Sequence, residues 1–214
     1  MKSIKLHNVI PNIFASCEDI RSDIWLTEVT LERGKSYLIE SESGMGKSSL
    51  CSYLYGQRGD YRGEILFDGE DVSRYSIGEW CRLRRESLGS LFQDLKLFGE
   101  LTAMENVELK NRLTQTQSRA TIEAWFEDLG LADKMDARVD RMSYGQQQRV
   151  ALIRALCQPL DFLLLDEPVS HLDERNSDVV RDIVLRETAR QGAGVIVTSI
   201  GKHMDINYDK VWRL

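Results

Sequence analysis

The chain has 214 residues, 42% hydrophobic and 29% charged, with a formal net charge of −6. That apolar content suffices for the core of one domain with at most an attached lobe, and it excludes a disordered chain. The acidic balance disfavours nucleic acid as the main partner, because phosphate backbones are bound by clustered Lys and Arg.

Four cysteines, Cys17, Cys51, Cys81 and Cys157, are scattered with no CxxC pair. They read as reduced thiols of a cytosolic protein rather than a disulfide framework or zinc site. No apolar stretch of signal-peptide length opens the chain, and no run approaches the ~18 apolar residues of a membrane span. Any membrane role is therefore expected to come through a partner.

In chain order, short strands are expected at 4–10, 24–31, 36–40 and 64–67, the last followed by an Asp68-Gly69 hairpin turn. Residues 104–142 are helical in pattern, with a glycine stop at Gly130. After Gln146 the pattern alternates helix and strand, and Phe162-Leu163-Leu164-Leu165 and Val195-Ile196-Val197 have the apolar character of buried parallel strands. Alternation of this kind predicts an α/β fold around a parallel sheet.

Ser41-Glu42-Ser43-Gly44-Met45-Gly46-Lys47-Ser48 lies between an expected strand and an expected helix that runs on through Ser49. That setting is what a P-loop requires: glycines let consecutive N–H groups turn toward phosphate oxygens at a helix N-terminus. Lys47 is placed to reach the β- and γ-phosphates, and the Ser48 hydroxyl to ligate Mg²⁺. Further on, Asp166-Glu167 follows the apolar strand at 162–165, on the edge where open α/β sheets bind ligands. Asp166 suits a Mg²⁺ ligand, and Glu167 suits a general base that polarises the attacking water.

Met142-Ser143-Tyr144-Gly145-Gln146-Gln147-Gln148-Arg149 and the helix after it resemble the signature segment of ATP-binding cassette proteins. Gln93 in Ser90-Leu91-Phe92-Gln93-Asp94 resembles their Q-loop glutamine, and Ser170-His171-Leu172-Asp173 their D-loop. The resemblance spans nearly the whole chain. The segments 83–93 and 101–107 are similar to those of short cassettes of the lipoprotein-release, macrolide-export and cell-division type.

The resemblance implies a P-loop NTPase core with a parallel sheet, an antiparallel β subdomain and an inserted helical subdomain. Residues 1–92 and 158–214 would form the core, and 93–157 the helical subdomain with the signature. It further implies an ATPase on the cytoplasmic face of a membrane, dimerising with a second cassette around Mg-ATP and driving a transmembrane permease subunit.

Under that resemblance ATP is held by residues 41–49 (Ser41, Glu42, Ser43, Gly44, Met45, Gly46, Lys47, Ser48, Ser49), with Phe14 as the candidate aromatic under adenine. Across the dimer, Ser143, Gly145 and Gln146 would meet the partner's nucleotide. Mg²⁺ falls to Ser48, Gln93 and Asp166, and catalysis to Glu167, Gln93 and the switch position, where Ser199 stands in place of histidine. Leu95, Leu97, Phe98 and Leu101 either line the permease groove or pack the helical lobe.

Three departures stand out: Ser41 replaces the first P-loop glycine, Tyr144 the first signature glycine, and Ser199 the histidine. A serine is too short to reach a γ-phosphate unaided, so turnover is expected to be slow. A DNA-repair cassette is disfavoured, since no sustained heptads lie between Lys47 and Met142. A ribosome-type cassette is disfavoured because the resemblance there implies a tandem pair, where this chain carries one set of motifs. A regulatory module that closes on ATP and seldom hydrolyses it remains open.

Overall fold

The computed structural model describes residues 1–16, 20–42 and 44–214. Its centre is a five-stranded parallel sheet in the order β6-β7-β8-β3-β9. The strands are β3 (Ser36–Glu40), β6 (Leu88–Leu91), β7 (Phe162–Asp166), β8 (Gly194–Ser199) and β9 (Lys210–Arg213).

Strand alternation divides the core in two. Leu38, Leu163, Leu165, Val195 and Val197 join one cluster, while Tyr37, Ile39, Phe162, Leu164 and Ile196 join another on the opposite face. The first cluster is covered by α3 (Ala103–Asn111), α4 (Arg119–Asp128), α5 (Tyr144–Leu156) and α6 (Glu174–Gln191). The second meets α1 (Lys47–Leu54) and an antiparallel sheet in the order β2-β1-β4-β5. That sheet comprises β1 (Ser3–Pro11), β2 (Glu28–Glu32), β4 (Tyr61–Phe67) and β5 (Glu70–Asp71). Helix α2 (Ile77–Glu86) precedes β6. Parallel core, antiparallel lobe and helical lobe are all as the sequence implies.

The expected turn at Asp68-Gly69 has φ of 51° and 87°, the left-handed pair that a tight two-residue hairpin between β4 and β5 requires. Two expectations need correction. Residues 24–27 are a turn, not strand: Ser22 Oγ accepts from the Ile24 and Trp25 amides at 3.0 and 2.9 Å, and Leu26 has φ 60°. The helical stretch 104–142 is two helices followed by short 3₁₀ turns, interrupted because Gln115 takes φ 51° and Gly130 φ 64°. Among the described residues no helix is long and apolar enough to cross a membrane.

Candidate active site

Strands β3, β6, β7 and β8 all end at the same sheet edge, which brings Ser41, Gln93, Asp166, Glu167 and Ser199 toward one another. Helix α1 begins there with Lys47 behind Gly46, whose φ is 97°. A Cβ on Gly46 would lie 3.1 Å from both the Phe14 and the Trp25 rings, so the left-handed turn and the close ring contacts both favour glycine. Trp25 Nε1 also donates to the Met45 carbonyl at 3.2 Å. Phe14 therefore sits directly against the loop; Trp25, which sequence reasoning missed, braces it.

Lys47 is only 5% exposed. Its ammonium donates to Ser41 Oγ at 3.1 Å and to the Ser41 and Glu42 carbonyls at 3.5 and 3.3 Å. The hydroxyl that replaces the first P-loop glycine thus gives the lysine a resting partner. Burial lowers the Lys47 pKa from its ordinary value, opposed by the charges of Glu167 and Asp166. Gly44 is exposed with φ 86°, Ser49 Oγ accepts from Arg58 Nη1 at 3.1 Å, and Ser43 lies outside the described residues.

Ser48 Oγ donates to Gln93 Oε1 at 3.3 Å. Asp166 is buried, and its Oδ1 accepts from Thr198 Oγ1 at 2.5 Å, across the β7–β8 register that pairs the two residues. Glu167 has φ 52°, a costly left-handed conformation for a residue with a side chain. Its amide donates to the Thr198 carbonyl at 3.1 Å, and its carbonyl accepts from Gln148 Nε2 at 2.9 Å and Ser170 Oγ at 3.1 Å. These bonds hold the strained residue in place. Thr198 and Gln148 had no sequence signal, since their partners lie on distant segments.

Ser48, Gln93, Asp166 and Tyr144 line a cleft of about 430 Å³. Among the described residues no cluster of three or more His, Cys, Asp or Glu side chains forms a dedicated metal cage. A hydroxyl, an amide oxygen and one carboxylate nonetheless make a hard oxygen set of the kind that suits Mg²⁺, which keeps waters and shares its ligands with phosphate.

Ser199, expected at the phosphate, is fully buried, and its hydroxyl donates to the Lys202 carbonyl at 2.7 Å. Its one proton is spent inside the turn after β8, so it does not act in the cleft here. His203 packs against Tyr208 with ring centroids 5.9 Å apart.

Ser143 caps α5: its Oγ accepts from the Gln146 amide at 3.4 Å while Gln146 Oε1 accepts from the Ser143 amide at 2.9 Å. The Ser143 hydroxyl is exposed and keeps its own proton free to donate outward. A Cβ on Gly145 would stand 3.3 Å from the His171 carbonyl, which is why the helix meets the 170–173 loop through a glycine.

The chain's affinities decide the family. The ABC transporter family model matches residues 27–170. The chain belongs to the ABC transporter family. Within it, the chain is an ATP-binding cassette of the ATPase class. It is 33% identical over 189 residues to the macrolide export ATP-binding/permease protein MacB of Shewanella sp. (strain ANA-3), which covers 86% of this chain but 28% of that relative. With the uncharacterized ABC transporter ATP-binding protein YbbA of Escherichia coli (strain K12) it shares 32% identity over 190 residues, 87% of this chain and 83% of YbbA. Among solved structures it is similar to the dimeric bacterial ABC transporter cassette MJ0796, with TM-score 0.78, 26% identity and coverage of 92% of this chain and 87% of that one. The post-hydrolysis MJ0796 dimer bound to ADP and Pi matches with TM-score 0.75 and 27% identity.

Beside the cassette's cleft lies a second groove of about 250 Å³, lined by Tyr55, Phe92, Phe98, Leu109, Lys110 and Arg154 among others. Of the four residues expected either to line such a groove or to pack the helical lobe, Phe98 is an exposed lining residue, at 55%. Leu95 is buried at 3% exposure, and Leu97 packs on the core. Leu95 and Lys96 take φ of 56° and 50°, and Arg154 clamps both carbonyls at 2.6 and 2.5 Å. That double left-handed kink turns Leu95 inward. Lys110 donates to the Arg84 carbonyl at 2.7 Å; burial, then Arg154, pushes its pKa down to about 8.

Proposed function

We propose that this cassette binds and hydrolyses Mg-ATP in a two-cassette dimer and drives a separate transmembrane permease from the cytoplasmic face. The observation that carries this is the convergence of Lys47, Ser48, Gln93, Asp166 and Glu167 on one cleft edge. Lys47 leaves Ser41 and Glu42 for the β- and γ-phosphates, and the first-turn amides of α1 complete the cradle. A Mg²⁺ ion held by Ser48, Gln93 and Asp166 would neutralise charge on the β- and γ-oxygens. Glu167 orients a water and takes its proton as the water oxygen bonds to the γ-phosphorus and the bridging oxygen leaves with ADP. Phe14 offers adenine a face beside the loop. Ser143 and Gly145 present a hydroxyl and a helix-start amide to the nucleotide of the second cassette, with Gln146 closing the capping box beside them.

With Ser199 withdrawn, no imidazole assists at the γ-phosphate, and turnover is slow. The test is Mg-ATP hydrolysis by the purified chain beside Ser199→Ala. Turnover below the usual enzymatic range of about 1–10³ per second is expected, and the alanine variant should match wild type within about twofold. Fast wild-type turnover, or a large loss in Ser199→Ala, would sink the slow-site reading. A purified chain that binds no Mg-ATP would sink the whole proposal.

The MacB relative joins an ATP-binding and a permease part in one chain, of which this chain spans 28%. For the permease surface we take the groove beside Phe98. Its Lys110 and Arg154 donate to backbone carbonyls, leaving their positive charge for a carboxylate on an incoming helix. Because a bound carboxylate raises the Lys110 pKa above about 8, docking takes up a proton when the solution is more alkaline than that. Permease binding should therefore hold steady below about pH 8 and weaken roughly tenfold by about pH 9.5, the Lys110→Met variant showing a flat profile. A pH-independent wild-type affinity would remove Lys110 from the interface.

A further inference from the structure

Tyr144 stands where the signature segment is expected to carry glycine, and its hydroxyl donates to the Gln93 carbonyl at 2.5 Å. The ring lies edge-on to His171, centroids 4.6 Å apart. Gln93 in turn accepts from Ser48 through its side chain at 3.3 Å. His171 Nδ1 is 2.9 Å from Ser170 Oγ, which donates to the Glu167 carbonyl at 3.1 Å. One aromatic side chain thus joins the start of α5 to both loops that border the chain's own nucleotide cleft, by a bond on one side and an edge contact on the other.

We propose that Tyr144 is a positioning residue that makes the signature segment, which serves the opposite site in the dimer, respond to nucleotide in its own chain's cleft. The proposal rests on the ATP-binding reading above. A nucleotide with its metal draws Ser48 and the Gln93 side chain together. The Gln93 carbonyl belongs to the same residue, so the shift is passed through the Tyr144 hydroxyl to the first turn of α5. Gly145 allows that turn to lie against the His171 carbonyl, where a larger residue would hold it off. Coupling of this kind requires an element whose two arrangements are both biased by the ligand, and the hydroxyl-to-carbonyl bond is the contact that differs between them.

The test uses Mg-ADP, which lacks the γ-phosphate that would bridge two cassettes, so that the response is read within one chain. Backbone amide exchange over residues 143–148 is measured with and without Mg-ADP in wild type and in Tyr144→Phe, with nucleotide affinity measured separately by calorimetry. Wild type should show exchange slowed about fivefold by nucleotide, the change that one hydrogen bond makes to a local opening equilibrium. Tyr144→Phe keeps the ring and, with both proteins compared at Mg-ADP concentrations that saturate them by calorimetry, should lose the nucleotide-dependent slowing. The same slowing in Tyr144→Phe, or none in a wild type that binds Mg-ADP, overturns the proposal. A wild type that binds no Mg-ADP overturns the ATP-binding reading first, and this one with it.

Discussion

Glu167→Gln is expected to lower ATP hydrolysis by about 10²–10⁴-fold, the share that a positioned general base contributes, while leaving Mg-ATP binding intact. Glutamine has the shape of glutamate and keeps the backbone bonds that hold the residue at φ 52°, namely those to Thr198, Gln148 and Ser170. What it lacks is an oxygen able to take the proton of the attacking water. The loss should therefore fall on turnover, with nucleotide affinity within a few-fold of wild type. On the two-cassette cycle proposed above, in which ATP closes the pair and hydrolysis opens it, the variant should also accumulate as an ATP-dependent dimer in light scattering. Hydrolysis within tenfold of wild type would show that Glu167 is not the base. A variant that loses turnover and stays monomeric with ATP would keep the base and remove the two-cassette cycle.

That prediction was within reach of the sequence because Asp166 ends, and Glu167 follows, a strand whose five residues are all buried. The strands at β1, β3, β7 and β8 were legible for the same reason: burial on a sheet face leaves a period or an apolar run. Helix α2 was not, because none of its residues is fully buried and its short apolar side, with Trp80 and Leu83, only half-covers the core. Its clearer signal is the Ser76–Glu79 capping box, with both reciprocal bonds formed. Strand β9 escaped similarly, with Trp212 its one buried residue.

In the site, contiguous motifs announced themselves, whereas supports assembled from distant segments did not. Thr198 reaches Asp166 only because β8 pairs with β7, and Gln148 reaches the Glu167 carbonyl only once α5 has packed. Tyr144 and Ser199 were visible as departures, but their directions were not. One turns to the Gln93 carbonyl, the other into the Lys202 turn. A residue's identity can be read in isolation; the partner that takes its proton is set by the fold.

Lys47→Met carries the opposite balance between stability and function. In the folded chain burial lowers the Lys47 pKa below about 10.5, so the fold disfavours the charged form that the unfolded chain carries freely. Stability linked to this group therefore rises with pH between the lowered value and the ordinary one. At any pH below the lowered value the full cost of the buried charge is present. Methionine fills similar volume without charge and ends the need for Ser41 and Glu42 oxygens to hold an ammonium. The melting temperature at neutral pH should accordingly stay level or rise by a few degrees, as is common where a functional group strains its site. Mg-ATP affinity should fall about 10²–10⁴-fold, because about two charge-assisted bonds to phosphate are lost at roughly 1.5–3 kcal/mol each. Calorimetry and thermal melts on one preparation check both halves. Affinity retained within tenfold would mean that Lys47 does not reach the phosphates. A fall of many degrees in melting temperature would mean that its bonds to the loop outweigh the cost of burying it, making it a structural brace rather than a ligand held in waiting.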